Sequence, residues 1–178
     1  MPPFSPLALP SLSSAFDSTL LALFLALLAW AALSDGLRFR IPNAASLGMA
    51  LLYPAHVLAS PLPVDWLGAL AVAGILFAVG VVLFARGMVG GGDVKLLSAA
   101  ALWAGPHLIL QLLIVMGLTG GLLSVIAWLL QYLRRFRTAG WTTLSLPQAD
   151  GAAFERVPYG VAIVAGGAYT AVHLLFTY

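Results

Sequence analysis

The sequence predicts an all-α fold: a polytopic membrane bundle of about six transmembrane helices with both termini on the outer side. Of the 178 residues, 62% are hydrophobic and only 8% are charged, against roughly 25% charged in an ordinary soluble domain. Mean hydropathy is +1.03. The long apolar segments are greasy on every face, which is how helices read when lipid is their solvent.

The chain reads as one membrane-embedded domain, residues 1–178. It opens on an irregular arm, residues 1–15, whose "MPPFSPLALPSLSS" holds four prolines and no Lys or Arg. It therefore lacks the positive region of a secretory signal peptide, and the first apolar run is expected to be a retained helix. A crossing takes ~20 residues, and the candidate spans are 16–34, 44–58, 66–85, 94–104, 107–133 and 159–176. The second and fourth are short. Gly105-Pro106 ends the fourth, because proline removes a donor and disfavours helical geometry in the residue before it. The fourth is thus expected to begin or end inside the membrane, where irregular backbone is tolerated only beside protein or water. Residues 134–157 form a long connection before the last span.

Orientation follows from the basic residues. All eight, Arg38, Arg40, Arg86, Lys95, Arg134, Arg135, Arg137 and Arg156, fall in the first, third and fifth connections. The positive-inside rule puts those connections, including 134–157, in the cytoplasm and both termini outside. The formal charge of +2 is thereby a topology signal with no need of a nucleic-acid partner. The partner that composition implies is the lipid bilayer, whose anionic headgroups suit Arg134, Arg135 and Arg137. With no cysteine, disulfides, thiolate catalysis and cysteine-ligated zinc are excluded.

The acids divide between the two sides. Asp17 and Asp65 fall outside, whereas Asp35, Asp93, Asp150 and Glu155 fall on the cytoplasmic side. Of these four only Asp35 and Asp93 abut spans, and the topology brings them to one face. Two carboxylates within a few ångströms cannot both ionise; one then activates water while the other protonates a scissile carbonyl oxygen. Asp35 and Asp93 are therefore the candidate catalytic pair, in an aspartic-protease arrangement.

Asp93 follows three glycines in "GMVGGGDVKLL". Gly90, Gly91 and Gly92 lack the Cβ atoms that hold a bound strand away, so Gly90 and Gly92 are candidate substrate-binding positions; alternatively the glycines merely make the turn between two spans. Lys95 also has two readings: contact with the site beside Asp93, or anchorage at the headgroups.

Other chemistries find little support. No His-Glu-x-x-His occurs, and His56, His107 and His173 are scattered on the outer side, as interfacial or packing residues. Ser34 and Ser98 have no histidine near in sequence. No cofactor or metal is expected. Gly117 and Gly121 make a small-xxx-small face expected to pack helix on helix, and Trp30, Trp66, Trp103 and Trp128 suit anchoring or packing.

Three stretches resemble one family. "SDGLRFRIPN", residues 34–43, is similar to the first aspartate motif of the type IV prepilin peptidases, in which Ile-Pro-Asn follows the aspartate after five residues. "GGGDVKLL", residues 90–97, resembles their Gly-x-Gly-Asp motif. "VPYGVAI", residues 157–163, resembles the opening of their last helix. The resemblance implies a membrane aspartic endopeptidase of the bacterial inner membrane, which removes leaders from prepilins and pseudopilins at the cytoplasmic face. Asp35 and Asp93 match the family's catalytic aspartates, and Gly90 and Gly92 its motif glycines. Pro42 matches the motif proline, at the entry to the second helix.

Two departures stand out. Larger members add a cytoplasmic domain with paired cysteines and also methylate the new N-terminus, whereas this chain has no cysteine and no room for that domain. It is similar in this to the short, peptidase-only form of tight-adherence (Flp) pilus systems, with no methyltransferase activity expected. Gly36 and Leu37 follow Asp35 where the family pattern has a larger residue and then an arginine; here Arg38 is shifted by one.

The competing classes are a small proton- or cation-coupled transporter using the same carboxylates, and a non-catalytic pilus-assembly subunit. A transporter favours acids deep within spans and repeated half-structures with broken helices; no internal repeat is visible.

Overall fold

A computed structural model describes residues 12–38, 40–60, 62–138 and 159–177. Among them every element is helical: α1 (Leu12–Arg38), α2 (Asn43–Ala59), α3 (Trp66–Ala85), α4 (Gly91–Thr138) and α5 (Tyr159–Thr177). All six expected segments are helical, the fourth and fifth being the two arms of α4. Among the described residues four stretches are long and apolar enough to cross a membrane: Ala15–Arg38, Trp66–Ala85, Gly91–Leu130 and Tyr159–Phe176. α2, at 17 residues, is not among them. The expected arm is helical from Leu12, and α4 runs through 134–138; the remainder of the arm and of the 134–157 connection lies outside the described residues.

The bend in α4 has the expected cause. Gly105 adopts φ 57°, ψ −171°, a left-handed φ that a side chain resists, and Pro106 follows with no N–H to give. α3 packs against this bend. Its N-cap Asp65 accepts the Gly68 N–H at 2.9 Å, and a Cβ on Gly68 would lie 3.0 Å from the Pro106 ring. α4 in turn lies against α2 and α5, while α1 packs on α2 and α5.

α1 turns one stripe inward. Asp17, Leu21, Phe24, Leu28, Ala31 and Asp35 are all buried, and their alternating spacing of four and three residues is that of a single helix face. The stripe is apolar in its middle and acidic at both ends. At the N-terminal end of the stripe Asp17 Oδ1 meets His56 Nδ1 at 2.5 Å, both side chains 2% exposed. This corrects the expectation for His56: it is a buried partner of a buried acid, not an interfacial or simple packing residue. Trp103 closes the region, stacked on Phe24 at 4.4 Å and on His56 at 4.9 Å, with its Nε1–H donating to the Met49 carbonyl at 2.9 Å.

Lipid tails are as apolar as leucine, so close packing and polar contacts decide which helix faces meet. α5 supplies the close packing through two adjacent glycines. A Cβ on Gly166 would come within 2.6 Å of the Leu112 carbonyl oxygen, and one on Gly167 within 2.9 Å of Leu28. Gly166→Ala is expected to force α5 off α4 and cost ~1–3 kcal/mol. Gly74→Ala, where a Cβ meets nothing within 4 Å, is expected to be neutral or to stabilise by up to ~1 kcal/mol. Thermal unfolding of the two variants in one detergent checks the contrast.

Candidate active site

The site is built at the opposite end of the bundle from the Asp17–His56 pair. Asp35 projects from the last turns of α1 and is 7% exposed. Its Oδ2 accepts the Gly160 N–H at 2.8 Å, and the Val161 backbone also hydrogen-bonds it. These belong to the first turn of α5, whose N–H groups have no partner within their own helix and carry the positive end of its dipole. Asp35 therefore caps α5 from another helix. Position 160 has to be glycine for this contact, since a Cβ there would stand 2.6 Å from Asp35 Oδ2.

Asp93 stands at the third position of α4 and its carboxylate turns back to the Gly90 backbone, the acidic half of a capping box. A Cβ on Gly90 would be 2.8 Å from Asp93 Oδ2, and one on Gly92 3.1 Å from Ile41 Cβ. None of the three glycines has a positive φ; in this loop that conformation falls on Gly87, at φ 70°. Space, more than backbone freedom, requires glycine at 90 and 92.

Three separate segments converge here. Ile41 seats on Gly92, Ser34 Oγ donates to the Arg40 carbonyl at 2.7 Å, and Lys95 Nζ donates to Asn43 Oδ1 at 3.1 Å. Pro42 is the N-cap of α2 at φ −65°, and its carbonyl accepts the Ala45 N–H at 3.1 Å. The turn between α1 and α2 is thus tied back onto the start of α4.

Asp35 and Asp93 are close enough to interact electrostatically, and two cavities meet at them. The larger, about 1060 Å³, runs from the carboxylates between α3 and the second arm of α4, past Val79, Leu83, Met116 and Gly117. The smaller, about 300 Å³, is lined by Asp35, Arg40, Ile41, Asn43, Gly90, Gly92 and Asp93. Asp35, Gly90 and Asp93 belong to both. One space is chiefly apolar and the other polar, with the two acids at the junction.

Each sequence candidate has a definite position in this arrangement. Asp35, Asp93 and Gly90 stand at the junction, and Gly92 lines the small pocket. Lys95 lines neither space and is engaged with Asn43. Gly117 and Gly121 depart from the helix-packing expectation: a Cβ on either meets nothing within 4 Å, and both face the large cleft. The packing role passes to Gly120, whose Cβ would lie 3.4 Å from Ala162. Gly160 is a further site residue that sequence reasoning does not single out; its trace in the sequence is its place in "VPYGVAI", at the opening of the last helix.

Fold and site together define an apolar helical bundle with two interacting carboxylates at a cleft. The model of the type IV leader peptidase family matches residues 22–125, more than half the chain, and the chain belongs to that family. It is a protease, and the match spans both aspartates but ends before Gly160. Comparisons with curated proteins and with solved structures gave no match.

Gly160→Ala is expected to displace the Asp35 carboxylate and lower leader-peptide cleavage about a hundredfold, the loss that ~1 Å of misplacement produces. Cleavage in membranes containing equal amounts of variant and unaltered protein checks it.

Proposed function

We propose that this protein is a prepilin peptidase of the short, peptidase-only form, in which Asp35 and Asp93 cut leaders from prepilins and pseudopilins of a tight-adherence (Flp) type system. The observation that carries this is the meeting of an apolar cleft and a small polar pocket at the two carboxylates. Such a junction fits a substrate that changes from a polar leader to a hydrophobic helix. The hydrophobic segment enters the cleft from the bilayer, and the leader lies in the polar pocket. The one-sided basic residues support six crossings, both termini outside, and an active site facing the cytoplasm of the inner membrane.

The pair works with one proton between its two acids. The ionised carboxylate takes a proton from water as the water oxygen bonds to the scissile carbonyl carbon; the protonated one gives its proton to the carbonyl oxygen. The resulting gem-diol collapses when the C–N bond breaks: one hydroxyl proton returns to the carboxylate that protonated the carbonyl, and the leaving nitrogen takes the proton that the other carboxyl drew from water. The products are a leader carboxylic acid and a new mature N-terminal amine, and the pair again holds one proton. Asp35 keeps its orientation through the Gly160 N–H, and Asp93 through Gly90. No step adds a methyl group.

Asp35→Asn and Asp93→Asn are each expected to lower cleavage of a co-expressed prepilin by about 10⁴-fold or more, and the double variant to be no worse than the singles, because groups that act as a unit are not additive. Full activity in either single variant contradicts the scheme. In the unaltered enzyme kcat/KM is expected to trace a bell against pH. At the acid end both carboxyls are protonated and no base remains; at the alkaline end both are ionised and no acid remains. Gly121→Phe, which fills the cleft, is expected to raise KM for full-length prepilin more than for a short peptide spanning only the junction.

A further inference from the structure

We propose that the small polar pocket is an acid-reading subsite in which Arg40, beside Asn43 held by Lys95, binds a carboxylate side chain close to the scissile bond. The proposal rests on the peptidase reading above and adds to it a rule of substrate selection.

Charge comes first. Arg40 is the only cationic side chain lining the pocket, and among the described residues it has no ion-pair partner. The other charged groups of the wall are Asp35 and Asp93, which carry a single negative charge between them when they share a proton. An entering carboxylate therefore meets a wall that Arg40 makes neutral, and a guanidinium offers it a planar fork of donors that fits two oxygens at once.

Asn43 supplies the second donor. An ammonium group has three donors and no acceptor, so the Lys95–Asn43 contact at 3.1 Å requires the amide oxygen to face the lysine. The amide N–H₂ is then free to donate elsewhere, and Asn43 lines the pocket. Lys95 acts as a positioning residue, and its cation is committed to that amide. The remaining wall at Gly90 and Gly92 has no side chain to obstruct an extended strand.

Location limits which residue is read. The pocket shares Asp35, Gly90 and Asp93 with the cleft, so a side chain inside it belongs to the chain being cut. It lies within about three residues of the scissile bond, roughly 10 Å of extended chain.

The test uses purified full-length protein in lipid vesicles and sets of prepilin substrates that differ only by Glu, Gln or Lys at one of the three positions on either side of the cut. The unaltered enzyme is expected to prefer Glu at one position by about tenfold in kcat/KM, the scale of one charge-assisted hydrogen bond. Arg40→Gln should bring that ratio close to unity, and Arg40→Glu should reverse it in favour of Lys at the same position. Lys95→Met and Asn43→Ala should each reduce the ratio, with Lys95→Arg restoring part of it. A ratio near unity in the unaltered enzyme at all six positions overturns the proposal, as does a preference that survives Arg40→Gln. Failure of the peptidase reading is distinguishable: there Asp35→Asn and Asp93→Asn cleave normally, whereas failure of the subsite alone leaves them inactive.

Discussion

The first and last helices meet on one carboxylate, and the geometry of the site depends on that contact. Asp35 is buried in a bundle with little other polarity, and the Gly160 N–H at 2.8 Å is one of the unpaired donors that begin every helix. The acid gains a partner and α5 gains a cap. Asp93 solves the same problem within α4 by turning back to Gly90. Neither acid has a Lys or Arg ion-pair partner among the described residues. Backbone dipoles hold both, and such dipoles orient a carboxylate without adding a full positive charge that would fix it in the ionised state.

The opposite end of the bundle has its own polar contact. Asp17 and Asp35 are eighteen residues apart on α1, ~5 helical turns, and so project from the same face. One meets His56 on α2 and the other meets Gly160 on α5. Between them the interface is apolar and would tolerate sliding, since in lipid one greasy face is worth about as much as another. Polar contacts at each end set how far α1 is inserted against its neighbours. Gly166 and Gly167 then let α5 approach closely enough to bring its first turn onto Asp35.

Much of this was legible in the sequence, for identifiable physical reasons. Length and hydropathy mark the helices, and Gly105-Pro106 marks the bend because no other dipeptide so clearly interrupts a helical ladder. Asp35 and Asp93 stood out because the basic residues bring them to one face and each abuts an apolar run. The Asp17–His56 pair did not stand out, since joining them needs the packing of α1 on α2. The role of Gly160, which the sequence shows only as part of "VPYGVAI", is hidden for a related reason: a glycine early in a helix looks the same whether or not a carboxylate from another helix needs its N–H. Gly117 and Gly121 have the spacing of a packing face, and spacing does not say whether a neighbour occupies it. The partner of Lys95 depends on the turn between α1 and α2 folding back, which no local pattern announces.

The central claim is that Asp35 and Asp93 act together on a peptide lying across the junction of the two cavities. The most direct measurement is an experimental structure of the protein bound to a junction-spanning prepilin peptide whose scissile amide is replaced by a hydroxyl-bearing tetrahedral analogue. Such an analogue mimics the state the site is expected to bind most tightly. The account predicts the hydroxyl within hydrogen-bond reach of both carboxylates, the apolar segment between α3 and the second arm of α4, and the leader beside Asn43. A hydroxyl held by one carboxylate alone, or a peptide seated away from this junction, would contradict it.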